Sequence, residues 1–536
     1  MRRVALCCRS GCPWNLEKAM SKKPFYVTTP IYYVNGQPHL GSAYTTIACD
    51  VLARFMRMDG HDVRFLTGTD EHGQKVAKAA QDAGQDPKAY VDDLVKNFQA
   101  LAKAMGTSND DFIRTTEPRH IQAAQALWNE LEKRGDIYLG SYAGWYAVRD
   151  EAFYTEDELR DGPGGRKIAP SGAECEWVEE PSYFFRLSAW QDRLLEHYQK
   201  HPDFIRPSFR RNEVISFVKS GLRDLSISRT TFTWGIPVPD QKSEGPRHIM
   251  YVWMDALTNY IAALGYPDTQ APLYRHFWPN ALHVVGKDIL RFHAVYWPAF
   301  LMAAGLELPN KGIFAHGWWT AEGEKMSKSL GNVIDPIELV RSYGLDPVRY
   351  FLMREVPFGQ DGDFSKAALI HRINGNLAND LGNLAQRVLV QIQRNCDGVM
   401  PDPEELHTHD EALLGPAYGL LPAVRDAMDD LAFHKALDEI WHVVSLANRY
   451  LDQEAPWALR KTNITRMGTV LNTSAEALRI LGILLIPFMP ETMGRLLDQL
   501  GVPADARGFS HLDPAHTVPP GTRLPAPQGL FPRIEE

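Results

Sequence analysis

The sequence predicts an α/β protein in which a doubly wound parallel sheet is interrupted by an inserted domain and followed by an all-α helical bundle. Three observations support this fold class. An apolar strand, a glycine-containing turn and an amphipathic helix follow one another near the start of the chain, and the same order returns after residue 280. Long amphipathic stretches fill the chain after about residue 367. With 536 residues, the chain has room for about three or four domains.

The first strand and helix of the predicted sheet are followed by a second strand. Residues 25–29 have the apolar pattern of a buried strand, and from Leu40 apolar residues recur at helical spacing until Asp59 and Gly60 end the helix. The next apolar run, residues 63–66, predicts the second strand. Strands joined in this way form a right-handed parallel crossover, which begins a Rossmann-type sheet.

The sheet resumes after a long interruption. Residues 283–285 predict a short strand that Gly286 ends, and a helical pattern follows. The residues between the two halves contain many turn signals, including a run of glycine and proline at residues 162–165, as is typical of an inserted domain. The predicted division of the chain is a disordered extension (1–20), the two halves of the Rossmann-type domain (21–117 and 241–310), an inserted connective domain (118–240), a loop-bearing segment (311–366) and a helical domain (367–536).

Composition and charge indicate a globular cytoplasmic protein. Hydrophobic residues make up 44% of the chain and charged residues 23%, and no apolar run approaches the roughly 18 residues that span a membrane. The net charge is -9, so nucleic acid would have to bind at a locally basic surface. The six cysteines contain no CxxC pair, which argues against a disulfide framework. The apolar run before Arg9 is too short for a signal peptide, and a short mitochondrial-type presequence is the alternative.

Two short motifs predict a site for a nucleoside triphosphate. In PHLGS, at the start of the first helix, the N-terminal N–H groups and His39 can hold an anion, and Gly41 lets the nucleotide approach the backbone. The alternative is an ordinary strand-to-helix turn with a surface histidine. In EKMSKSLG, Lys325 and Lys328 lie on a glycine-flanked loop that can close over phosphates, and the alternative is a solvated charged loop.

Together these motifs resemble the HIGH and KMSKS signatures of class I aminoacyl-tRNA synthetases. The similarity extends to the methionyl-tRNA synthetase family through the segments TTPIYYVNGQPHLGS, FLTGTDEHGQK, YVWMDALTNY, GKDILRFHAVYWPAFL and LANRYLDQEAPW. The fourth HIGH position, commonly histidine, is Ser42 in this chain. Because Ser42 can offer only a shorter, neutral hydrogen bond, we expect reduced turnover or a compensating group.

The resemblance implies a two-step reaction. The carboxylate of L-methionine attacks the α-phosphate of ATP, and a hydroxyl of the terminal adenosine of tRNA(Met) then attacks the methionyl-adenylate, with Mg²⁺ bridging the phosphates. Because no residue becomes covalently attached, catalysis depends on positioning and on neutralising phosphate charge. The implied catalytic residues are His39, Ser42, Lys325 and Lys328. The implied ATP-binding residues are His39, Gly41, Gly286, Lys287, Asp288 and Lys328.

A slot for the methionine thioether should have aromatic walls and a donor near the sulfur. Two groups share predicted helical faces, Trp253, Leu257 and Tyr260 in the first and Ile289, His293 and Trp297 in the second. Periodicity alone favours ordinary core stripes. The resemblance assigns nine residues to methionine binding: Ile31, Tyr33, Asp70, Trp253, Leu257, Tyr260, Ile289, His293 and Trp297. Asp70, at a predicted strand end, matches the carboxylate that pairs with the substrate ammonium, and a cap or turn role is its alternative.

The helical C-terminal region contains a candidate tRNA-binding surface. Asn383 and Arg387 share a helical face in a stretch with more arginine than acid, and Trp457 follows Pro456 at a predicted helix start. Asn and Arg can read unstacked base edges, and an exposed Trp can stack on a base. A polar helix surface and a core tryptophan are the alternatives. The resemblance assigns Asn383, Arg387 and Trp457 to recognition of the CAU anticodon.

The sequence resembles the zinc-free subtype of this family. Residues 118–240 contain only Cys175, so four thiolates cannot be assembled there, and we expect no structural metal. No appended segment for dimerisation follows the helical domain, so we expect a monomer. The alternative functions are another class I synthetase, for an aliphatic amino acid, and a tRNA-binding relative with weakened catalysis, for which Ser42 is the hint.

Overall fold

The computed structural model describes residues 22–34, 38–150, 152–241, 245, 247–326 and 332–535. The strands, in chain order, are β1 (Pro24–Thr28), β2 (Tyr32–Tyr33), β3 (Asp62–Asp70), β4 (Asp111–Arg114), β5 (Ile137–Ala147), β6 (Ala152–Tyr154), β7 (Arg160–Asp161), β8 (Lys167–Ile168), β9 (Glu174–Phe185), β10 (Ile205–Arg206), β11 (Leu225–Ser226), β12 (Ser228–Arg229), β13 (Ile249–Met250), β14 (Ala281–Gly286), β15 (Gly312–His316), β16 (Trp319–Ala321), β17 (Glu324–Lys325) and β18 (Gly362–Phe364).

Helices surround these strands and make up most of the C-terminal region. The α-helices span Leu40–Met58, Gln74–Asp82, Pro87–Ala104, Pro118–Lys133, Gln191–Lys200, Ser208–Lys219, Val252–Leu257, Asn259–Ala262, Pro272–Phe277, Trp297–Ala303, Pro336–Tyr343, Leu345–Arg354, Lys366–Arg372, Asn383–Asn395, Thr408–Tyr418, Leu420–Asp429, Phe433–Glu454, Pro456–Thr462, Ile464–Leu485 and Pro490–Gln499. The π-helical stretches span Phe292–Tyr296 and Ile373–Gly382. Short 3-10 turns span Glu156–Glu158, Pro163–Gly165, Leu187–Trp190, Trp278–Asn280, Lys287–Ile289, Ala504–Ala506, Phe509–His511 and Pro514–His516.

The predicted parallel sheet is present and confirms the α/β fold class. Its strand order is β10-β15-β14-β1-β3, with β2 and β4 also paired to β3, and all of these pairs are parallel. Val27 lies beside Leu282 on one side and beside Phe65 on the other. The late strand therefore resumes the sheet next to the first strand, as predicted. Because the strands are parallel, their carboxyl ends meet at one edge, where ligands bind in such sheets.

The helix Leu40–Met58 lies almost entirely inside the molecule. Most of its residues are buried in a core cluster that also contains residues of the sheet and of the helical C-terminal region. Within that core, Asp50 forms a fully buried ion pair with Arg349 at 2.8 Å. Burial raises the pKa of Asp50, but the charge of Arg349 holds this pKa below its usual range. The ion pair fixes the helix against Leu345–Arg354 and so helps to fix the start of the helix at the sheet edge.

Residues between the two halves of the sheet form a second, antiparallel sheet. β5 and β9 pair from Ile137 beside Phe185 to Tyr146 beside Glu176, and shorter strands extend this pair. β10 comes from the same part of the chain but joins the main sheet beside β15. One strand of the predicted insert therefore completes the main sheet.

The C-terminal region is a helical bundle, as predicted. The helices are interrupted between Asn383–Asn395 and Thr408–Tyr418 and at Asn463, whose side chain caps the next helix by accepting from the N–H of Arg466. Leu530 and Phe531, near the end of the chain, are buried against this bundle. Among the residues that the structure describes, no helix combines the length and apolarity that crossing a bilayer requires.

Candidate active site

His39 occupies the N-cap of the helix Leu40–Met58, at the edge where the parallel strands end. Its Nδ1 accepts a hydrogen bond from the N–H of Gly41 at 3.1 Å. The neutral ring then carries its proton on Nε2, which can donate to an anion. A Cβ atom at position 41 would lie 2.9 Å from His39 Cε1, so the ring position requires glycine there. The cap therefore joins two of the residues predicted to bind ATP.

His316 links this helix to the sheet, although the sequence patterns did not single it out. It ends β15 beside Gly286 of β14, and its Nε2 lies 2.7 Å from the hydroxyl of Thr45. Its Nδ1 lies 2.8 Å from the carbonyl oxygen of Gly317, which can only accept. Burial lowers the pKa of His316, which favours a neutral ring that donates to this carbonyl and accepts from Thr45. The link brings the helix that begins after His39 and the end of β14 to one crevice.

Gly286, Lys287 and Asp288 follow β14 at this crevice. A Cβ atom at Gly286 would lie 2.5 Å from Asp288 Oδ1, so the carboxylate folds over a glycine that leaves room for it. Lys287 forms an ion pair with Asp361 at 2.6 Å, and its Nζ lies 4.3 Å from the ring centre of Trp318. Asp288 is exposed to solvent, whereas the charge of Lys287 is matched by Asp361.

The other residues predicted to be catalytic occupy different surroundings. Ser42 is buried, and its carbonyl accepts a hydrogen bond from the hydroxyl of Tyr32 at 3.0 Å. Lys325 ends β17, beside Thr320 of β16. Lys328 lies outside the described residues, and its role stays a prediction.

The residues predicted to form the methionine pocket come together around one buried cluster. Leu257, Tyr260 and Trp297 are buried members of it, and Ile31, Tyr33, Trp253 and Ile289 are partly buried residues packed against it. His293 is buried and hydrogen-bonded to Tyr260. The prediction of two continuous helical faces was wrong, because the first stretch is broken at Thr258 and the second contains the π-helical turn Phe292–Tyr296. The two stretches face each other instead, with the ring centres of Tyr260 and Trp297 6.2 Å apart.

Phe292 adds an aromatic wall that the sequence analysis missed. Its ring stacks on Trp253, with the ring centres 3.8 Å apart and the planes inclined by 7°. Phe292 begins the π-helical turn, so an α-helical projection gives the wrong direction for its side chain. The aromatic richness of RFHAVYW was the only available signal.

Tyr260 and His293 form a neutral hydrogen-bonded pair, and each residue is 1% exposed. His293 Nδ1 lies 2.9 Å from the carbonyl oxygen of Ile289, so this nitrogen donates. The other ring nitrogen, Nε2, must then accept a hydrogen bond from the Tyr260 hydroxyl, at 2.6 Å. Burial lowers the pKa of His293 to about 4, so the pair is uncharged at neutral pH. An uncharged pocket with aromatic walls suits an apolar, polarizable side chain.

Asp70 is the last residue of β3, and a buried ion pair holds the loop that follows it in place. The next residue, Glu71, is fully buried, and its carboxylate accepts hydrogen bonds from Arg114 Nε at 2.7 Å and Nη2 at 2.9 Å. The indole N–H of Trp234 donates to the carbonyl oxygen of Glu71 at 2.7 Å. These contacts fix the backbone on which the predicted ammonium partner, Asp70, is carried.

A second set of buried groups, the histidine–aspartate clasp of His72, His120 and Asp255, connects this loop to the predicted methionine pocket. His72 Nδ1 and His120 Nε2 each lie 2.6 Å from an oxygen of Asp255. Burial raises the pKa of Asp255, but His72 and His120 bring this pKa down to about 2. Asp255 lies in the helix that carries Trp253, so the clasp joins the Asp70 loop to a wall of the pocket. No sequence pattern identified these three residues, because they meet only in the fold.

The three residues predicted to bind the anticodon form an exposed group in the helical bundle, which we call the Trp457 edge (Asn383, Arg387 and Trp457). Trp457 is 43% exposed, and the guanidinium of Arg387 lies 5.1 Å from its ring centre. Asn383 is exposed one helical turn before Arg387. Ala455, with φ 41°, ends one helix just before the helix Pro456–Thr462 begins. This left-handed residue makes the turn from which Trp457 projects.

Near this edge, acids from other parts of the chain pair with the arginines. The local positive charge is therefore smaller than the sequence indicates. Arg387 pairs with Asp452 at 2.5 Å, and Arg372 pairs with Glu355 at 2.8 Å. Asp452 belongs to another helix and Glu355 directly follows one, so their effect could not be seen along a single helix. Among the described residues, no group of three or more His, Cys, Asp or Glu side chains is placed to hold a metal ion.

Comparison with known proteins gives the same assignment for both parts of the chain. Residues 25–176 and 166–389 match the family described as "tRNA synthetases class I (M)", and residues 400–536 match the "Anticodon binding domain of methionyl tRNA ligase". A methionine–tRNA ligase of Brucella suis biovar 1 is 56% identical over 517 residues, which cover 96% of this chain and 99% of that protein. One of Rickettsia bellii is 55% identical over 515 residues, again 96% and 99% of the two chains.

Solved structures agree with these sequence relatives. The structure of Mycobacterium tuberculosis methionyl-tRNA synthetase bound by methionyl-adenylate has a TM-score of 0.92 at 51% identity, covering 95% of this chain and 100% of that chain. The free form of the Mycobacterium tuberculosis enzyme has a TM-score of 0.86 at 48% identity, covering 96% and 99%.

Proposed function

The chain belongs to the class I methionyl-tRNA synthetases, and on this basis we propose which of its residues carry out the reaction. It ligates L-methionine to tRNA in an ATP-dependent reaction that passes through methionyl-adenylate and releases AMP and pyrophosphate. The observation that supports our residue assignment is the arrangement around one crevice of the His39 cap, the Asp288 carboxylate and the Tyr260–His293 pair.

We propose that the phosphates of ATP lie at the start of the helix Leu40–Met58. The positive end of the helix dipole favours negative charge there, and the Nε2 proton of His39 adds a donor. Gly41 allows close approach, and Lys325 and Lys328 are assigned to the loop that closes over the triphosphate. Ser42 is assigned to the same signature, at the position where its family commonly has histidine.

We propose that methionine lies with its ammonium at Asp70 and its thioether against the Tyr260–His293 pair. The His293 proton is directed to Ile289 and the Tyr260 proton to His293. The pair therefore offers an oxygen and ring faces to the sulfur rather than a donor, which differs from the donor expected from the sequence. Sulfur–aromatic contacts, worth about 0.3–1.5 kcal/mol each, would favour methionine over a hydrocarbon side chain of similar size.

We propose that the Trp457 edge binds the anticodon of tRNA(Met). An exposed tryptophan offers a stacking face for an unpaired base, and Asn383 and Arg387 can donate hydrogen bonds to base edges. The salt bridge from Arg387 to Asp452 holds the guanidinium beside the ring while no base is bound.

We propose that ATP enters with Mg²⁺ on its phosphates. Mg²⁺ commonly uses one or two carboxylates together with phosphate oxygens and waters. When bound, the ion neutralises phosphate charge, and this chain adds the His39 donor and the loop lysines to the same task. A structural zinc is not part of the proposal, because residues 118–240 contain only one cysteine.

We propose that the enzyme acts in the cytoplasm as a monomer and that its domains follow the division given above. Support for the division comes from β1–β4 in the first half, β14 in the second half, the β5–β9 sheet between them and the helices after residue 366. Residues 1–20 lie outside the described residues, and the proposal assigns them no role in the reaction.

The decisive test of this assignment is methionine-dependent exchange of pyrophosphate into ATP. Lys328→Ala should lose at least about 2 kcal/mol of transition-state stabilisation, or about 30-fold in kcat/KM, the scale of one preorganised donor. Lys366→Ala removes an exposed lysine of the same size at a helix start and serves as the matched control. Exchange at the normal rate in the Lys328 variant would remove the loop from the mechanism.

A further inference from the structure

Trp318 lies at the nucleotide crevice, beside Asp288. It follows β15 by two residues, and its indole N–H donates to Asp288 Oδ1 at 3.1 Å. The side chain is 40% exposed. The indole is partly exposed and donates its only N–H to a carboxylate at the nucleotide crevice. Core packing alone does not account for this position.

The Asp288 carboxylate is held on two sides through one of its oxygens. The same oxygen, Oδ1, approaches the Cα of Gly286 so closely that a Cβ there would lie 2.5 Å away. Trp318 then fixes Oδ1 by its N–H. This arrangement sets the plane of the carboxylate and turns Oδ2 into the oxygen that can accept from a ligand.

The indole itself is held by a closed set of contacts. Lys287 Nζ lies 4.3 Å from the ring centre of Trp318 and pairs with Asp361 Oδ2 at 2.6 Å. The other oxygen of Asp361 accepts a hydrogen bond from the backbone N–H of Trp318 at 2.8 Å. Burial raises the pKa of Asp361, but the hydrogen bond from Lys287 holds this pKa below its usual range. Lys287 and Asp361 therefore act on the position of Trp318.

We propose that Trp318 is a positioning residue for the ribose of ATP, acting by presenting Asp288 Oδ2 to a ribose hydroxyl. The inference rests on the proposed function, in which Asp288 is one of the residues implied to bind ATP, and we assign its carboxylate to the ribose hydroxyls. A carboxylate held in advance has less freedom to lose when the hydroxyl binds. Lys287, predicted from the sequence to touch ATP, here has the separate task of supporting the indole.

The test uses methionine-dependent pyrophosphate exchange with ATP, 2'-deoxyATP and 3'-deoxyATP. Trp318→Phe keeps an aromatic ring at this position and removes the N–H together with the pyrrole part of the indole. We expect its KM for ATP to rise about 10-fold, the scale of a hydrogen bond to a charged group, with a smaller change in kcat. For the deoxy analogue that lacks the hydroxyl bound by Asp288, the variant should differ little from the natural protein. Trp318→His, which keeps a ring N–H, should recover part of the loss.

Two controls separate failure of the inference from failure of the proposed function. Asp288→Asn should reduce the preference for ATP over the same deoxy analogue, and an unchanged preference would overturn the ribose assignment of Asp288. If Asp288→Asn behaves as expected but Trp318→Phe affects ATP and both analogues equally, or affects none of them, the positioning role of Trp318 is overturned. Trp177→Phe changes an exposed tryptophan of the β5–β9 sheet and should leave all three substrates unaffected.

Discussion

The proposed methionine pocket and the Trp457 edge use opposite physical means. In the pocket, Tyr260 and His293 are buried, neutral and hydrogen-bonded to each other. At the edge, Trp457 is exposed beside Arg387, whose charge is paired with the exposed carboxylate of Asp452. Choosing one amino acid among similar ones benefits from fixed, water-free walls, whereas binding an unstacked base benefits from rings and charges already at the surface. Changes around the pocket should therefore alter stability, and changes at the edge should alter tRNA binding alone.

The largest expected effect comes from the histidine–aspartate clasp. Asp255→Ala removes the fully buried acceptor of both His72 and His120 and leaves two buried donors without it. Breaking a buried, hydrogen-bonded charged group typically costs about 3–5 kcal/mol. We expect a loss of that size in the free energy of unfolding, seen as a lower urea midpoint of tryptophan fluorescence, together with a higher KM for methionine.

The Trp457 edge provides the control for this variant. Asp452→Ala also removes an aspartate that pairs with a cation, but the Asp452 side chain is 64% exposed. Exposed pairs contribute about 0–1 kcal/mol, so its urea midpoint should change little. Equal shifts for the two variants would contradict the contrast between a buried and an exposed region.

A smaller effect is expected from the titration of His293. The pKa of His293 is about 4 in the folded chain, below the value of about 6.5 for an unfolded chain, because the ring is buried. Between these values the unfolded chain binds more protons, so stability falls as the pH drops from about 6.5 to about 4, by at most about 3 kcal/mol. His293→Gln can keep both hydrogen bonds without titrating. Its urea midpoint should therefore fall less over this pH range.

The comparison between the two proteins isolates His293 from its neighbours. Burial also lowers the pKa of His283, whose ring lies 4.1 Å from Tyr260, but that residue is present in both proteins. Parallel pH profiles for the natural protein and His293→Gln would mean that His293 is not held neutral by the fold. The Trp457 edge, as defined by its three residues, contains no histidine and so should give no comparable pH dependence of stability.

The sequence allowed much of the fold to be predicted, because local patterns determine it. The helix from Leu40 was delimited by its apolar spacing and by the Asp59-Gly60 stop, and it ends at Met58 as expected. The strand beginning near Val63 is longer than predicted, because its last residues are threonine, glycine and aspartate, which carry no apolar signal. Burial by neighbouring segments, rather than strand propensity, extends it to the crevice.

The site was predictable only where a family motif was present. Residues such as His316 and Thr45 are 271 positions apart, so their hydrogen bond left no trace in local spacing. The π-helical turn that begins at Phe292 was also missed, since its sequence fits an α-helix equally well. The pairing of Arg387 with Asp452 was also missed, because Asp452 lies in another helix.

The smallest of the expected effects should be confined to tRNA. Trp457→Ala removes an exposed ring, and loss of one base–aromatic stack costs about 1–3 kcal/mol, or about 5- to 150-fold in affinity. We expect the KM for tRNA in aminoacylation to rise by a factor in that range, while methionine-dependent pyrophosphate exchange and the urea midpoint stay unchanged. Trp177→Ala, which removes another exposed tryptophan, should leave the KM for tRNA as it is. A fall in exchange equal to the fall in aminoacylation would show instead that Trp457 supports the fold, because the bundle and the sheet share one core cluster through which damage can spread.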